Sequence, residues 1–135
     1  REELTRLGSG LGLGDRLRLI GRVADEDLPA LYAAAIAFVY PSEYEGFGLQ
    51  LCEAMALGVP VLASNATSLP EVLGKGGETF GLDSTAELVG RLRRLASDTD
   101  HRHDLSRRAR IRSLDFSWER TADATLAVYR EAGAS

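Results

Sequence analysis

Apolar residues recur along this chain in two rhythms, and each rhythm predicts a kind of element. Residues 16–20 alternate polar and apolar up to Gly21, which predicts a short strand. Leu28, Leu31, Tyr32 and Ala35 recur at i, i+3, i+4 and i+7 behind Asp25, which predicts a helix capped by that aspartate. Residues 36–40 are an unbroken apolar run stopped by Pro41-Ser42, the pattern of a strand covered on both faces. A glycine-rich turn, a helix over 48–57, a buried strand over 60–64 and one helical turn over 69–73 follow, then a weaker strand over 78–82. Ser84-Thr85-Ala86-Glu87 has the form of a capping box, ahead of a helical face made by Leu88, Leu92, Leu95 and Ala96. A charged helix is predicted over 99–113. The terminal segment 113–135 carries a last helix capped by Ser117, with Trp118, Ala122, Leu126 and Tyr129 on one side. Strands alternating with helices predict an α/β fold, a Rossmann-like parallel sheet with flanking helices.

The first seven residues look like the end of a helix, with Leu4 and Leu7 three apart, and residues 8–14 like its C-cap and loop. Residues 133–135 are expected to fray. Arg1 rather than Met opens the chain, which reads as a fragment or a processed product.

Composition narrows the function classes. A chain of 135 residues and 14.6 kDa fits one domain, and 44% apolar with 27% charged residues fits a folded one. A net charge of −4 argues against a dedicated nucleic-acid binder. The longest apolar run, 31–40, is far short of the ~18 residues a membrane span needs, and no signal-peptide pattern opens the chain. The single cysteine, Cys52, excludes an internal disulfide framework and fits a reducing cytoplasm. Cys52 and Trp118 both read as packing residues.

Several motif-like stretches fail on inspection. The dinucleotide fingerprint needs glycine at position 13 or 15, where Leu13 and Asp15 stand. A Walker loop needs a hydroxyl after Lys75 and glycine at 69; Gly76 and Leu69 stand there. His101 and His103 diverge on a helix and have no neighbouring ligands, so no metal site is expected. The basic run 102–112 reads as a solvated helix face, with docking to a membrane surface or a partner as the functional alternative. Glu71 is either a local cap or pair, or a neighbour of the site described next.

The informative stretch is 40–56, where a buried strand gives way to a helix with Gly46 and Gly48 between them. First-turn backbone N–H groups and the positive end of the helix dipole suit an anion, and glycines let it approach the backbone. Such a turn lies at the carboxyl end of a strand, where open α/β sheets bind ligands. Glu45 and Glu53 flank it. Carboxylates repel phosphate but accept hydrogen bonds from vicinal hydroxyls, and Glu53 within an apolar helix needs a partner. The layout, phosphates in the middle and hydroxyls at both ends, is that of a nucleotide-sugar.

Here the sequence resembles a family. Glu45 and Glu53 match the E-x7-E signature of retaining GT-B glycosyltransferases of family 4, glycosyl transferases group 1. The surrounding pattern continues almost unbroken from Pro41 to Ser64 and on through residues 68–72, with further matches at 16–23 and 116–119. The resemblance implies that residues 1–135 are a partial nucleotide-sugar-binding domain, the C-terminal half of a GT-B fold with its first strands missing. It implies that Glu45, the catalytic candidate, binds hydroxyls of the donor sugar. Gly46, Phe47, Gly48 and Leu49 would offer backbone donors to sugar and diphosphate, and Glu53 would hold the ribose. Arg22 and Val23 stand where the family contacts the base. Residues 64–68 resemble a subgroup rich in mannosyltransferases, which points to GDP-mannose.

By the same resemblance, the full enzyme moves a sugar from a nucleoside diphosphate donor to a hydroxyl acceptor, with no cofactor and no metal. This chain lacks the N-terminal acceptor domain and is expected to be inactive alone. Two central strands are also missing between 16–20 and 36–40. The expectation is therefore a longer natural protein, a rearranged sheet in which the two surviving strands pair, or a partner chain in the gap. The rival readings are a GT-B epimerase or phosphorylase, and a non-catalytic module that binds a nucleotide or a partner protein. Partners follow: a nucleotide-sugar, the missing domain, no nucleic acid, and peripheral membrane contact in the full-length protein.

Overall fold

Val61, Leu62 and Ala63 have no side-chain polar atoms, and the sheet is built around them. The computed structural model describes residues 1–133. Its elements run α1 (Glu2–Gly10), a 3-10 turn (Gly14–Arg16), α2 (Leu28–Ala33), β1 (Phe38–Tyr40), α3 (Leu49–Ala56), β2 (Val61–Ser64) and α4 (Leu69–Leu73). β3 (Gly77–Phe80), α5 (Thr85–Ser97), α6 (Thr99–Ser113) and α7 (Trp118–Gly133) complete the chain. The three strands are parallel in the order β1-β2-β3, with Phe38 opposite Val61 and Val61 opposite Gly77. β2 is buried along its whole length. Strand alternation sends Val61 and Ala63 to one face and Leu62 to the other. α3 and α4 cover the first face through Leu51, Met55, Leu69 and Leu73. α5 and α6 cover the second through Leu95 and Leu105, packed with Phe80.

The arginines of α6 are only in part the solvated face expected of them: Arg107 is exposed and pairs with Asp104, but four others reach carbonyls of other helix ends. Arg102 donates to the Leu95 carbonyl (2.6 Å), Arg110 to that of Leu57 (3.3 Å) and Arg108 to that of Lys75 (3.2 Å). Arg112 donates to the carbonyls of Val72 (3.0 Å) and Glu71 (2.7 Å). These acceptors lie in or just beyond the last turns of α3, α4 and α5, where carbonyls lack helical partners and the dipole end is negative. The basic run thus knits three helix ends together.

The 16–20 strand does not form. Arg16 closes the 3-10 turn, and Leu17 is extended (φ −105°, ψ 114°) but makes no ladder; Leu19 receives only the Arg1 guanidinium (2.6 Å). A strand exists only when a neighbour completes its hydrogen bonds, and β1 is the edge of this sheet. The rearranged sheet with both surviving strands paired is therefore not the outcome. Gly8 answers to packing, since a Cβ there would lie 2.4 Å from Leu17 Cδ2. α1 itself runs to Gly10, further than predicted.

Other boundaries moved for local reasons. Asp25 caps nothing: residues 25–27 form a turn in which Asp27 N–H bonds Ala24, and α2 starts after Asp27 with Pro29 in its first turn. Only half of the capping box closes. Ser84 Oγ accepts from Glu87 N–H (3.4 Å), but Glu87 turns its own carboxylate to Gly81 N–H (2.9 Å) and Arg91 (2.6 Å). Ser117 accepts from Arg120 N–H as predicted (3.2 Å), while residue 113 closes α6, so α7 begins at 118. Trp118 does not anchor that helix. It is 76% exposed, and α7 buries no residue at all. Gly133 lies within α7; the rest of the stretch expected to fray is outside the described residues.

Candidate functional site

Parallel strands bring their carboxyl ends to one edge, so the loops after β1 and β2 meet there. Three side chains staple them. The Ser64 hydroxyl donates to the Ser42 carbonyl. Glu45 N–H donates to Thr67 Oγ1 (3.1 Å), and the Ser68 hydroxyl donates to the Glu45 carbonyl (3.0 Å). Thr67 reaches its partner from a left-handed backbone (φ +47°), a conformation that costs a β-branched residue about 1–2 kcal/mol. The Glu45 backbone is thus held from both sides, at the expense of local strain.

Gly48 opens α3. Its φ of +91° is in the glycine region, and a Cβ on it would lie 2.8 Å from Leu69 Cδ2. No side chain caps this helix end, and its first turn carries no acidic residue. Leu51 N–H bonds the Gly48 carbonyl, while the Leu49 and Gln50 amides have no acceptor among the described residues. The positive end of α3 therefore faces solvent between exposed Gly46 and exposed Leu49. Phe47, 44% exposed, stands edge-on to Phe116 at 5.7 Å, and the Arg112 guanidinium lies over the Phe116 ring at 4.7 Å.

The two glutamates are gathered by two tyrosines. Tyr40 Oη donates to Glu45 Oε1 (2.6 Å), and the Ser42 hydroxyl donates to the same oxygen (3.0 Å). Tyr32 Oη donates to Glu53 Oε2 (3.4 Å). The rings form a ladder: Tyr32 edge-on to Phe38 at 5.3 Å, and Phe38 stacked on Tyr40 at 5.8 Å. Tyr40 Oη also sits 3.4 Å from the Gln50 side chain. Gln50 and Glu53 are three apart and share a face of α3, so Glu45, Gln50 and Glu53 border one side of the corner. The Glu45 bond, aided by burial and by the carboxylate charge, pushes the Tyr40 phenol up to about 12. Burial, then the Glu53 charge and hydrogen bond, also raise Tyr32.

Glu53 is not enclosed by apolar groups as its neighbours in sequence implied. The helix buries Leu51, Ala54 and Met55 and turns Glu53 outward. Cys52 is half-buried against the core, and burial raises its thiol pKa. Arg22 is exposed, and neither it nor Val23 makes a hydrogen bond or ion pair with the cluster. Tyr32, Tyr40 and Gln50 were given no role in the site by the sequence, and Thr67 and Ser68 entered only as part of the 64–68 resemblance, not as partners of Glu45. His101 packs its Nε2 3.1 Å from Glu78 Oε1, away from the corner. Among the described residues no three His, Cys, Asp or Glu side chains gather as a metal site, and no helix is long and apolar enough to cross a membrane.

Comparison with known proteins converges on one group. The sequence profile described as glycosyl transferases group 1 matches residues 1–112. The chain is 44% identical over 114 residues to O-antigen chain mannosyltransferase B of Escherichia coli, covering 84% of this chain and 30% of that protein. It superposes on sucrose-phosphate synthase of Thermosynechococcus elongatus with a TM-score of 0.87 at 32% identity, covering 98% of this chain and 34% of that one. It superposes on Anabaena HepE, solved with UDP-glucose, with a TM-score of 0.84 at 26% identity, covering 97% and 36%. The chain thus spans about a third of the length of these relatives.

Proposed function

The chain belongs to the glycosyl transferases group 1 family, and on that premise we propose that it is the donor-binding part of a retaining glycosyltransferase. The substrate is a nucleoside diphosphate sugar, and the acceptor is a hydroxyl. The observation that carries this reading is the uncapped positive end of α3 at the carboxyl edge of the sheet, with Glu45 and Glu53 on the same side of it.

In this reading sugar and diphosphate dock on the backbone amides of Gly46, Phe47, Gly48 and Leu49, with the unpaired Gln50 amide beside them. As the sugar–phosphate bond breaks, negative charge grows on that diphosphate. A helix dipole and fixed N–H groups stabilise the charge without reorganising, and no metal is required of the site. Glu45 takes hydroxyls of the sugar and Glu53 those of the ribose, because acceptor-only carboxylates suit diols. The acceptor site belongs to the longer protein, which works in the cytoplasm, so this chain alone binds donor without turning it over. Similarity to a mannosyltransferase supports GDP-mannose as the donor.

Titration of GDP and UDP into the 135-residue chain by calorimetry tests the reading. Micromolar binding of one of them, lost in Glu53→Ala, is the expected result. Silence toward both nucleotides would overturn it.

A further inference from the structure

Glu45 is held unevenly, and the unevenness has a direction. Tyr40 and Ser42 both donate to Oε1, at 2.6 and 3.0 Å. Oε2 receives no hydrogen bond from the described residues. The Glu45 backbone is pinned by Thr67 and Ser68, which fixes the root of the side chain, while the carboxylate itself is held by Tyr40 and Ser42 alone. Tyr40 is rigid in turn: it ends β1, and its ring is stacked on Phe38.

We propose that Tyr40 and Ser42 are positioning residues that saturate one oxygen of Glu45 and present the other, Oε2, to a ligand hydroxyl. This rests on the reading of the corner as a donor site, and it assigns sugar-end affinity to two residues that need not touch the sugar. Tyr40 has one proton, already given to Glu45. The Gln50 side-chain oxygen, an acceptor 3.4 Å from the phenol, therefore competes only weakly for that proton. The raised phenol pKa agrees with a proton shared tightly with the carboxylate.

The consequence is a split between two kinds of ligand. A bare nucleoside diphosphate uses the end of α3 and Glu53 and is indifferent to where Glu45 points. A nucleotide-sugar adds a hydroxyl on Oε2. A freed carboxylate loses that pre-set geometry, which weakens a charge-assisted hydrogen bond by about tenfold in affinity.

The experiment measures Kd for UDP, GDP, UDP-glucose and GDP-mannose on the wild-type chain, Tyr40→Phe and Ser42→Ala. Expected is about a tenfold loss for the sugar nucleotide in each variant, with the matching nucleoside diphosphate unchanged within about twofold. Equal loss for both ligands would mean a merely structural role, and no loss would mean no role; either overturns the proposal while the donor site stands. Wild-type silence toward all four ligands defeats the donor reading and this inference with it. If circular dichroism shows Tyr40→Phe unfolded, Ser42→Ala still decides. Ultraviolet titration of tyrosine supplies a ligand-free check. The Tyr40 phenol, pushed up first by its bond to Glu45 and then by burial, should titrate lower in Glu45→Gln, and no movement would refute the pairing.

Discussion

Arg112 is the test of the helix-end clamp. Its guanidinium donates to the Val72 carbonyl (3.0 Å) and the Glu71 carbonyl (2.7 Å), meets Asp115 at 2.7 Å and covers the Phe116 ring at 4.7 Å. The side chain is 26% exposed and Asp115 is 52% exposed, so solvent weakens that ion pair to about 1 kcal/mol or less. Val72 is buried, and stripping its carbonyl of a charged donor costs about 1.5–2 kcal/mol. Glu71 is exposed and water can replace the lost bond, so its share is about 0.5 kcal/mol. The ring contact adds about 0.5–1 kcal/mol. Arg112→Ala is therefore expected to lose about 3 kcal/mol, which for a domain of this size lowers Tm by roughly 10 °C. Arg112→Lys should recover little, because a single ammonium cannot reproduce a fork that serves two carbonyls and a carboxylate. Urea denaturation of the three proteins, with m-values checked for constancy, measures both effects. A loss below about 1 kcal/mol in Arg112→Ala, or full recovery by lysine, would refute the clamp. Because Phe116 also meets Phe47, the alanine variant should in addition loosen the 46–48 corner.

Two further outcomes are expected. Gly48→Ala forces a Cβ to 2.8 Å from Leu69 and a non-glycine residue to φ +91°; it should destabilise by about 2–3 kcal/mol in urea melts and weaken nucleotide binding. Glu87 has its pKa lowered below its ordinary 4.5, first by the Gly81 N–H and then by Arg91. A lowered folded-state pKa adds stability that is present above the unfolded value and lost as pH falls through the folded one. The urea midpoints of wild type and Glu87→Gln should therefore differ above about pH 5 and converge in acid, and a gap independent of pH would contradict the assignment.

Much of the molecule was legible because its signals are short-range. The helix over 99–113 and the cap at Ser117 sit where predicted, and the strand over 60–64 begins one residue late, since each depends on residues within a turn or two. The corner was legible for the same reason. Glu45, Gly46, Gly48 and Glu53 are fixed relative to one another by a strand end and one helix turn. What carries the glutamates was less so. Tyr32 reaches Glu53 across 21 positions, Thr67 reaches Glu45 across 22, and no periodicity encodes either.

The alternation of strands and helices along the chain, and the glycine corner between two acids, were legible in the sequence unaided, because backbone sterics, caps and side-chain period act between near neighbours. Three matters were left to the tertiary structure. Residues 16–20 have the alternation of a strand yet make no ladder, because hydrogen bonds need a second strand. Arg102, Arg108, Arg110 and Arg112 of α6 reach to other helix ends because those ends offer unpaired carbonyls. Trp118 and the side of α7 it shares stay exposed because no other described element packs there. In each case the local pattern states what a segment can do, and only what lies across space from it decides whether it does.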